Sequence, residues 1–176
     1  DYGIPQSRER LFCIGFKKET DFKYPAPIPL EKKVYDFLEN KFDKKYLLKE
    51  KGAFFVTRSI NTLKSYTQVN GEIALCQKRN QQFNWHGDFV FHPKLKSDTS
   101  TPDTDATLFA VSNYEEDYYA SITPERYAII PTADGMEQMS VVSSDNIDNR
   151  YGRFRKLTPR ECLRLMGFDD SFKISC

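Results

Sequence analysis

The sequence predicts an α+β fold, from three observations. A helix-start signature lies near the carboxy end, apolar residues fall at helical spacing between Glu31 and Phe42, and the stretch between holds short segments of strand formers bounded by turn residues. A length of 176 residues suits one domain, or one plus part of another. With 39% hydrophobic and 29% charged residues and a mean hydropathy of −0.62, the composition is that of a soluble globular chain. No apolar run approaches the roughly 20 residues of a bilayer crossing. No secretory leader pattern opens the chain, so the expected location is cytoplasmic.

Taken in order, the first element is the apolar run Leu11 to Phe16, which reads as a buried strand. A strand so near the start needs neighbours, and the chain is expected to begin inside a longer polypeptide. Pro25, Pro27 and Pro29 then force extended backbone, as in a linker. From Glu31, the residues Val34, Phe37, Leu38 and Phe42 share one face of an expected amphipathic helix. Residues 53–57, 72–76 and 127–130 read as strands, punctuated by Asn70-Gly71, Pro131 and Asp134-Gly135. The stretch 96–105, almost all Ser, Thr, Asp, Pro and Lys, reads as an exposed loop.

Thr158-Pro159-Arg160-Glu161 combines a hydroxyl cap, a proline at the first helical position and a glutamate placed to close a capping box; Gly167 ends that helix. Arg160 and Arg164 share a face, either for salt bridges within the domain or for phosphate.

The 4 cysteines, Cys13, Cys76, Cys162 and Cys176, lack metal spacing, and His86 and His92 do not complete a zinc pattern. No metal site is expected, and the thiols read as reduced and mostly buried.

The net charge of +1 hides a strong asymmetry. Residues 1–79 hold 16 basic and 10 acidic side chains, 80–149 hold 3 and 12, and 150–176 hold 7 and 3. Two basic ends flanking an acidic middle suit a chain that presents its ends to a polyanion, because phosphate attraction is local and screened within about 10 Å.

Gln6-Ser7-Arg8-Glu9-Arg10 precedes the first apolar run, so strand alternation would put Gln6, Arg8 and Arg10 on one side. An amide and two guanidiniums can grip a phosphate or a base edge, and arginine keeps its charge at any working pH. Alone, the pattern reads rather as an edge-strand charge ladder.

Residues 1–16, Asp-Tyr-Gly-Ile-Pro-Gln-Ser-Arg-Glu-Arg-Leu-Phe-Cys-Ile-Gly-Phe, closely resemble the eighth motif of DNA (cytosine-5)-methyltransferases. Residues 153–168, Arg-Phe-Arg-Lys-Leu-Thr-Pro-Arg-Glu-Cys-Leu-Arg-Leu-Met-Gly-Phe, resemble the ninth. They stand in the family's order with a variable stretch between, and residues 80–89 look like a feature of some bacterial members.

The resemblance implies an α/β family fold. This chain would supply an edge of the doubly wound sheet (1–24), a proline linker and hinge helix (25–50), and a small strand-rich target-recognition domain (51–176). Such enzymes flip cytosine from duplex DNA, attack C6 with a thiolate and transfer methyl from S-adenosylmethionine to C5.

The resemblance makes Arg10 the donor to cytosine O2, Arg8 a phosphate contact or brace, and Gln6 part of the pocket floor. Arg58, Asn61, Lys64, Lys78, Arg79, Asn80 and Gln82 are candidate DNA contacts, since Arg pairs with guanine and Asn or Gln with adenine. The family's nucleophile follows a proline, whereas Phe12, Leu75, Glu161 and Ser175 precede the cysteines here.

A glycine-rich cofactor loop and a Glu-Asn-Val segment are likewise not found, so 1–176 alone is expected neither to bind S-adenosylmethionine nor to methylate DNA. Expected partners are double-stranded DNA and the rest of the polypeptide, with no membrane; in isolation the strand at 11–16 would promote a non-native dimer. The alternatives are a non-catalytic DNA-binding specificity module or inactive relative, and an interaction domain using the proline run and acidic loop.

Overall fold

A computed structural model of the chain describes residues 3–57, 66–78, 86–98, 109–110 and 126–174. The described residues form two sheets and two α-helices, the α+β arrangement expected.

The first sheet is antiparallel, with β1 (Lys41–Asp43), β5 (Arg126–Pro131) and β6 (Met136–Val142) in the order β1-β6-β5. The expected Asp134-Gly135 turn closes the β5–β6 hairpin. There Thr132 N donates to Met136 O at 3.0 Å, and the Thr132 hydroxyl donates to the Asp134 carboxylate.

The second sheet orders β2 (Thr67–Val69), β3 (Gly87–Leu95), β7 (Ile147–Lys156) and β4 (Phe109–Ala110) as β2-β3-β7-β4, with β2 and β3 parallel. The β3–β7 register shifts between Pro93 and Lys94, where a proline without an N–H fits a bulge.

β3 is buried on both faces from Gly87 to His92, where Phe89, Val90 and Phe91 are consecutive rather than alternating with polar residues. Val90 joins a core with Val34, Leu38, Phe42, Met139, Leu157 and Leu165. Phe89 and Phe91 point the other way, into a second core with Ala53, Val56 and Phe154.

Several expectations are corrected. Residues 31–42 do not form an amphipathic helix: a single 3₁₀ turn, Val34–Phe37, gives way to extended backbone and then β1. Val34, Leu38 and Phe42 are buried as expected, but a spacing of four fits a two-residue strand repeat as well as a helical one. Pairing decided it, with Val34 N bonded to Glu72 O and Lys41 registered against Gln138.

Residues 53–57, read as a strand, belong instead to helix α1 (Glu50–Thr57), whose Ala53 and Val56 are buried three apart while Phe54 faces solvent. Residues 72–76 contribute only one bridge, Gln6 to Ala74.

The apolar run at 11–16 is no strand. Leu11 is 90% and Phe12 70% exposed, and among the described residues the run has no ladder partner. It loops back through Phe16–Phe22 and Phe22–Tyr24 ring contacts, with the Tyr24 hydroxyl donating to Phe12 O. Cys13 is exposed and Cys76 and Cys162 are half-buried, so these thiols are not buried as expected.

Helix α2 (Pro159–Leu165) forms as read: Thr158 caps it, Glu161 completes the capping box, and Gly167 leaves it at φ +91°. No described helix is long and apolar enough to cross a membrane.

Candidate functional site

The motif Gln6 to Arg10 is extended and held at one end. Ala74 N donates to Pro5 O at 2.7 Å and Ser7 N to Ala74 O at 2.8 Å, giving a one-residue parallel bridge. On its other flank lies the end of α2. A helix leaves its last carbonyls without intrahelical donors, and here Gln6 Nε2 donates to Leu165 O at 3.1 Å. Gln6 thus ties the two terminal motifs together, 159 residues apart in sequence.

An open groove of about 690 Å³ lies between them, lined by Gln6, Arg8, Arg10, Phe12, Leu165 and Met166. Ser7 and Glu9 line it too, so the segregation expected from strand alternation does not occur; without a ladder the backbone is free to turn. Arg10 Nη1 donates to Glu9 O at 2.5 Å, and Nη2 lies 4.0 Å from Cys76 Sγ. Among the described residues neither Arg8 nor Arg10 is ion-paired with a carboxylate, and with Glu9 also in the lining the groove carries a net positive charge of one.

Behind the groove, α2 is fixed by a buried polar network. Arg155 on β7 makes a bidentate pair with Glu161, Nη1 to Oε2 at 2.8 Å and Nη2 to Oε1 at 2.9 Å, and both side chains are 0% exposed. Glu161 also accepts from Thr158 N at 2.7 Å and Glu39 N at 2.8 Å.

Arg155 Nε donates to His92 Nε2 at 3.2 Å, and the guanidinium lies over the Phe42 ring at 4.4 Å. His92 Nδ1 faces Tyr127 O, so the ring is the neutral tautomer that donates from Nδ1 and accepts at Nε2. Burial, and then the Arg155 charge, push its pKa down to about 3.

A second buried acid, Asp88 at the start of β3, accepts from Leu75 N and from the side-chain amides of Gln68 and Gln77. Burial pushes its pKa up to about 7.

Sequence reasoning did not single out Arg155, His92 or Asp88. The available signal was Asp88 and His92 flanking the apolar triplet Phe89-Val90-Phe91, since ionisable groups in a buried strand require partners; Arg155, in a strand rich in charge, carried none. Glu161 was read only as half of a capping box.

Of the expected site residues, the structure brings together Gln6, Arg8 and Arg10. Lys78 is exposed beside Gln77, while Arg58, Asn61, Lys64, Arg79, Asn80 and Gln82 lie outside the described residues, as do Trp85 and 99–105. His86 stacks on Tyr66 at 5.1 Å. Arg164 is bidentate to Asp170, at 2.7 Å to each oxygen, and donates to Phe37 O, so the salt-bridge reading of that arginine holds. Among the described residues no His, Cys, Asp and Glu cluster could hold a metal ion.

The family model described as C-5 cytosine-specific DNA methylase matches residues 1–176. The type II methyltransferase M.DsaV of Dactylococcopsis salina is 28% identical over 99% of this chain and 37% of its own length. M.NlaX of Neisseria lactamica is 27% identical over 99% of this chain and 40% of its own, and M.SsoII of Shigella sonnei is 27% identical over 99% and 34%. The chain therefore spans two-fifths or less of the length of these three relatives. No solved structure matches significantly.

Proposed function

The chain belongs to the C-5 cytosine-specific DNA methylase family, and from that premise we propose that it is the DNA-reading part of an enzyme that methylates C5 of cytosine in duplex DNA. The enzyme would serve a type II restriction-modification system in the cytoplasm. The observation that carries this reading is the groove that Gln6, Arg8 and Arg10 line together, with neither guanidinium ion-paired to a carboxylate among the described residues.

An extruded cytosine presents its O2 as an acceptor, and negative charge builds on the ring when a nucleophile adds at C6. Arg10 donates to that oxygen and stabilises the charge. Arg8 holds backbone phosphate. Gln6, fixed by Leu165 O, forms the floor.

S-adenosylmethionine supplies the methyl group when bound, but the residues present do not fit it. Two guanidiniums in the groove repel a sulfonium, and no glycine-rich turn follows a described strand. The cofactor site and the attacking thiol therefore belong to polypeptide outside 1–176, consistent with the share of the relatives that this chain spans. That missing part would cover the exposed apolar run at 11–16, which otherwise drives a non-native dimer of the isolated chain.

The test is methyl transfer. In the whole enzyme Arg10→Ala lowers kcat about 100- to 1,000-fold, the loss typical of one such donor, with duplex affinity little changed. Measurable transfer by 1–176 alone, or full activity in Arg10→Ala, overturns the reading.

A further inference from the structure

Asp88 is buried, yet among the described residues no cation pairs with it; its three donors, Leu75 N, Gln68 Nε2 and Gln77 Nε2, are all neutral and lie at 3.1, 3.1 and 3.2 Å. An uncompensated buried carboxylate is unfavourable, and an apolar or amide side chain would avoid that penalty. What the carboxylate does instead is hold one segment from behind. Leu75, which it binds, follows Ala74, and Ala74 is the residue against which Pro5 and Ser7 pair. Cys76, the next residue, lies against Arg10.

The arrangement is reinforced from β2. Gln68 Nε2 donates both to Asp88 and, at 2.7 Å, to Ile73 O. It reaches them by crossing the space over Gly71, where a Cβ would stand 1.6 Å from that nitrogen.

We propose that Asp88 is a positioning residue for the groove: by clamping Leu75 and Gln77 it presents Ala74 as the template for Pro5 to Ser7 and keeps Cys76 beside Arg10. One peptide unit and two hydrogen bonds then connect β3 of the recognition region to the arginine motif. The structural part stands on the contacts alone, and its catalytic consequence rests on the role proposed for Arg10.

Two readouts test it. In the whole enzyme, Asp88→Asn is expected to raise the N-ethylmaleimide labelling rate of Cys76, read on its own peptide by mass spectrometry, at least tenfold under conditions where circular dichroism reports a folded protein. Gly71→Ala, which displaces Gln68 without touching the carboxylate, raises it too, and serves if Asp88→Asn does not fold.

In the whole enzyme Asp88→Asn lowers kcat about tenfold, but causes no further loss in an Arg10→Ala background, because both act through one guanidinium. A general loss of stability would instead multiply with Arg10→Ala. Unchanged labelling of Cys76 in the folded variants overturns the clamp, and multiplicative losses overturn its action through Arg10. If Arg10→Ala alone leaves methyl transfer intact, the proposed function fails while the labelling result still decides the clamp.

Discussion

Glu161 sits where one charge holds the most structure. Its carboxylate accepts four hydrogen bonds, two from Arg155 and one each from Thr158 N and Glu39 N, all at 2.7 to 2.9 Å and out of contact with solvent. Glu161→Gln keeps the volume and one acceptor oxygen but leaves the Arg155 guanidinium buried without its counter-charge. Breaking one side of a buried pair typically costs about 3–5 kcal/mol, a large share of a stability of roughly 5–15 kcal/mol.

At a urea dependence of about 2 kcal/mol/M, the unfolding midpoint of the 176-residue chain falls by roughly 1.5–2.5 M in far-ultraviolet circular dichroism. The double variant Arg155→Met/Glu161→Gln removes the stranded charge while the amide oxygen still accepts from one of the two backbone N–H groups, so it is more stable than Glu161→Gln alone by at least about 1 kcal/mol. A shift below about 1 kcal/mol for Glu161→Gln, or a double variant less stable than the single, refutes the reasoning.

Other outcomes follow from the same contacts. A Cβ at Gly152 would lie 2.3 Å from Phe91 Cε2 and 2.4 Å from the His92 carbonyl oxygen, and a strand carbonyl cannot yield as a side chain can. Gly152→Ala therefore destabilises by about 1–3 kcal/mol, read as a lower Tm in thermal unfolding; an unchanged Tm contradicts the β3–β7 packing. Asp88 keeps its proton in the folded state up to a pH of about 7, whereas the unfolded carboxyl loses it near its ordinary 3.8, so this group lowers stability as pH rises through that window. His92, neutral in the fold down to a pH of about 3 but protonated below 6.5 when unfolded, lowers stability as pH falls. The two oppose each other, so the stability of the native chain is compared with that of Asp88→Asn from pH 4 to 7: the advantage of the native chain shrinks as pH rises, and a constant difference contradicts the assignment.

What could be read in the sequence follows from how local each signal is. The cap, the proline and the stop of α2 lie within ten residues and act through their own backbone, so Thr158, Glu161 and Gly167 do as their spacing implies. The β5–β6 hairpin, with its Asp-Gly turn, is equally local.

Val34, Leu38 and Phe42 misled because burial was decided locally but conformation was decided by Glu72 and Gln138, far along the chain. Residues 53–57 misled because phenylalanine and valine favour strands in general, while Ala53 and Val56 needed a three-residue spacing to meet the second core. At the site, the motif named Gln6, Arg8 and Arg10. The supports, Arg155 with His92 and Asp88 with Leu75, join residues separated by 63 and 13 positions and carry no local pattern.

The central claim is a contact between the Arg10 guanidinium and cytosine O2, and a cycle on the whole enzyme measures it most directly. Methyl transfer is compared for native enzyme and Arg10→Ala, each on a duplex with the target cytosine and on one whose target base lacks the 2-oxo group. The account predicts that deleting the oxygen slows the native enzyme about 100-fold or more and barely affects Arg10→Ala. Equal slowing of both enzymes would contradict it.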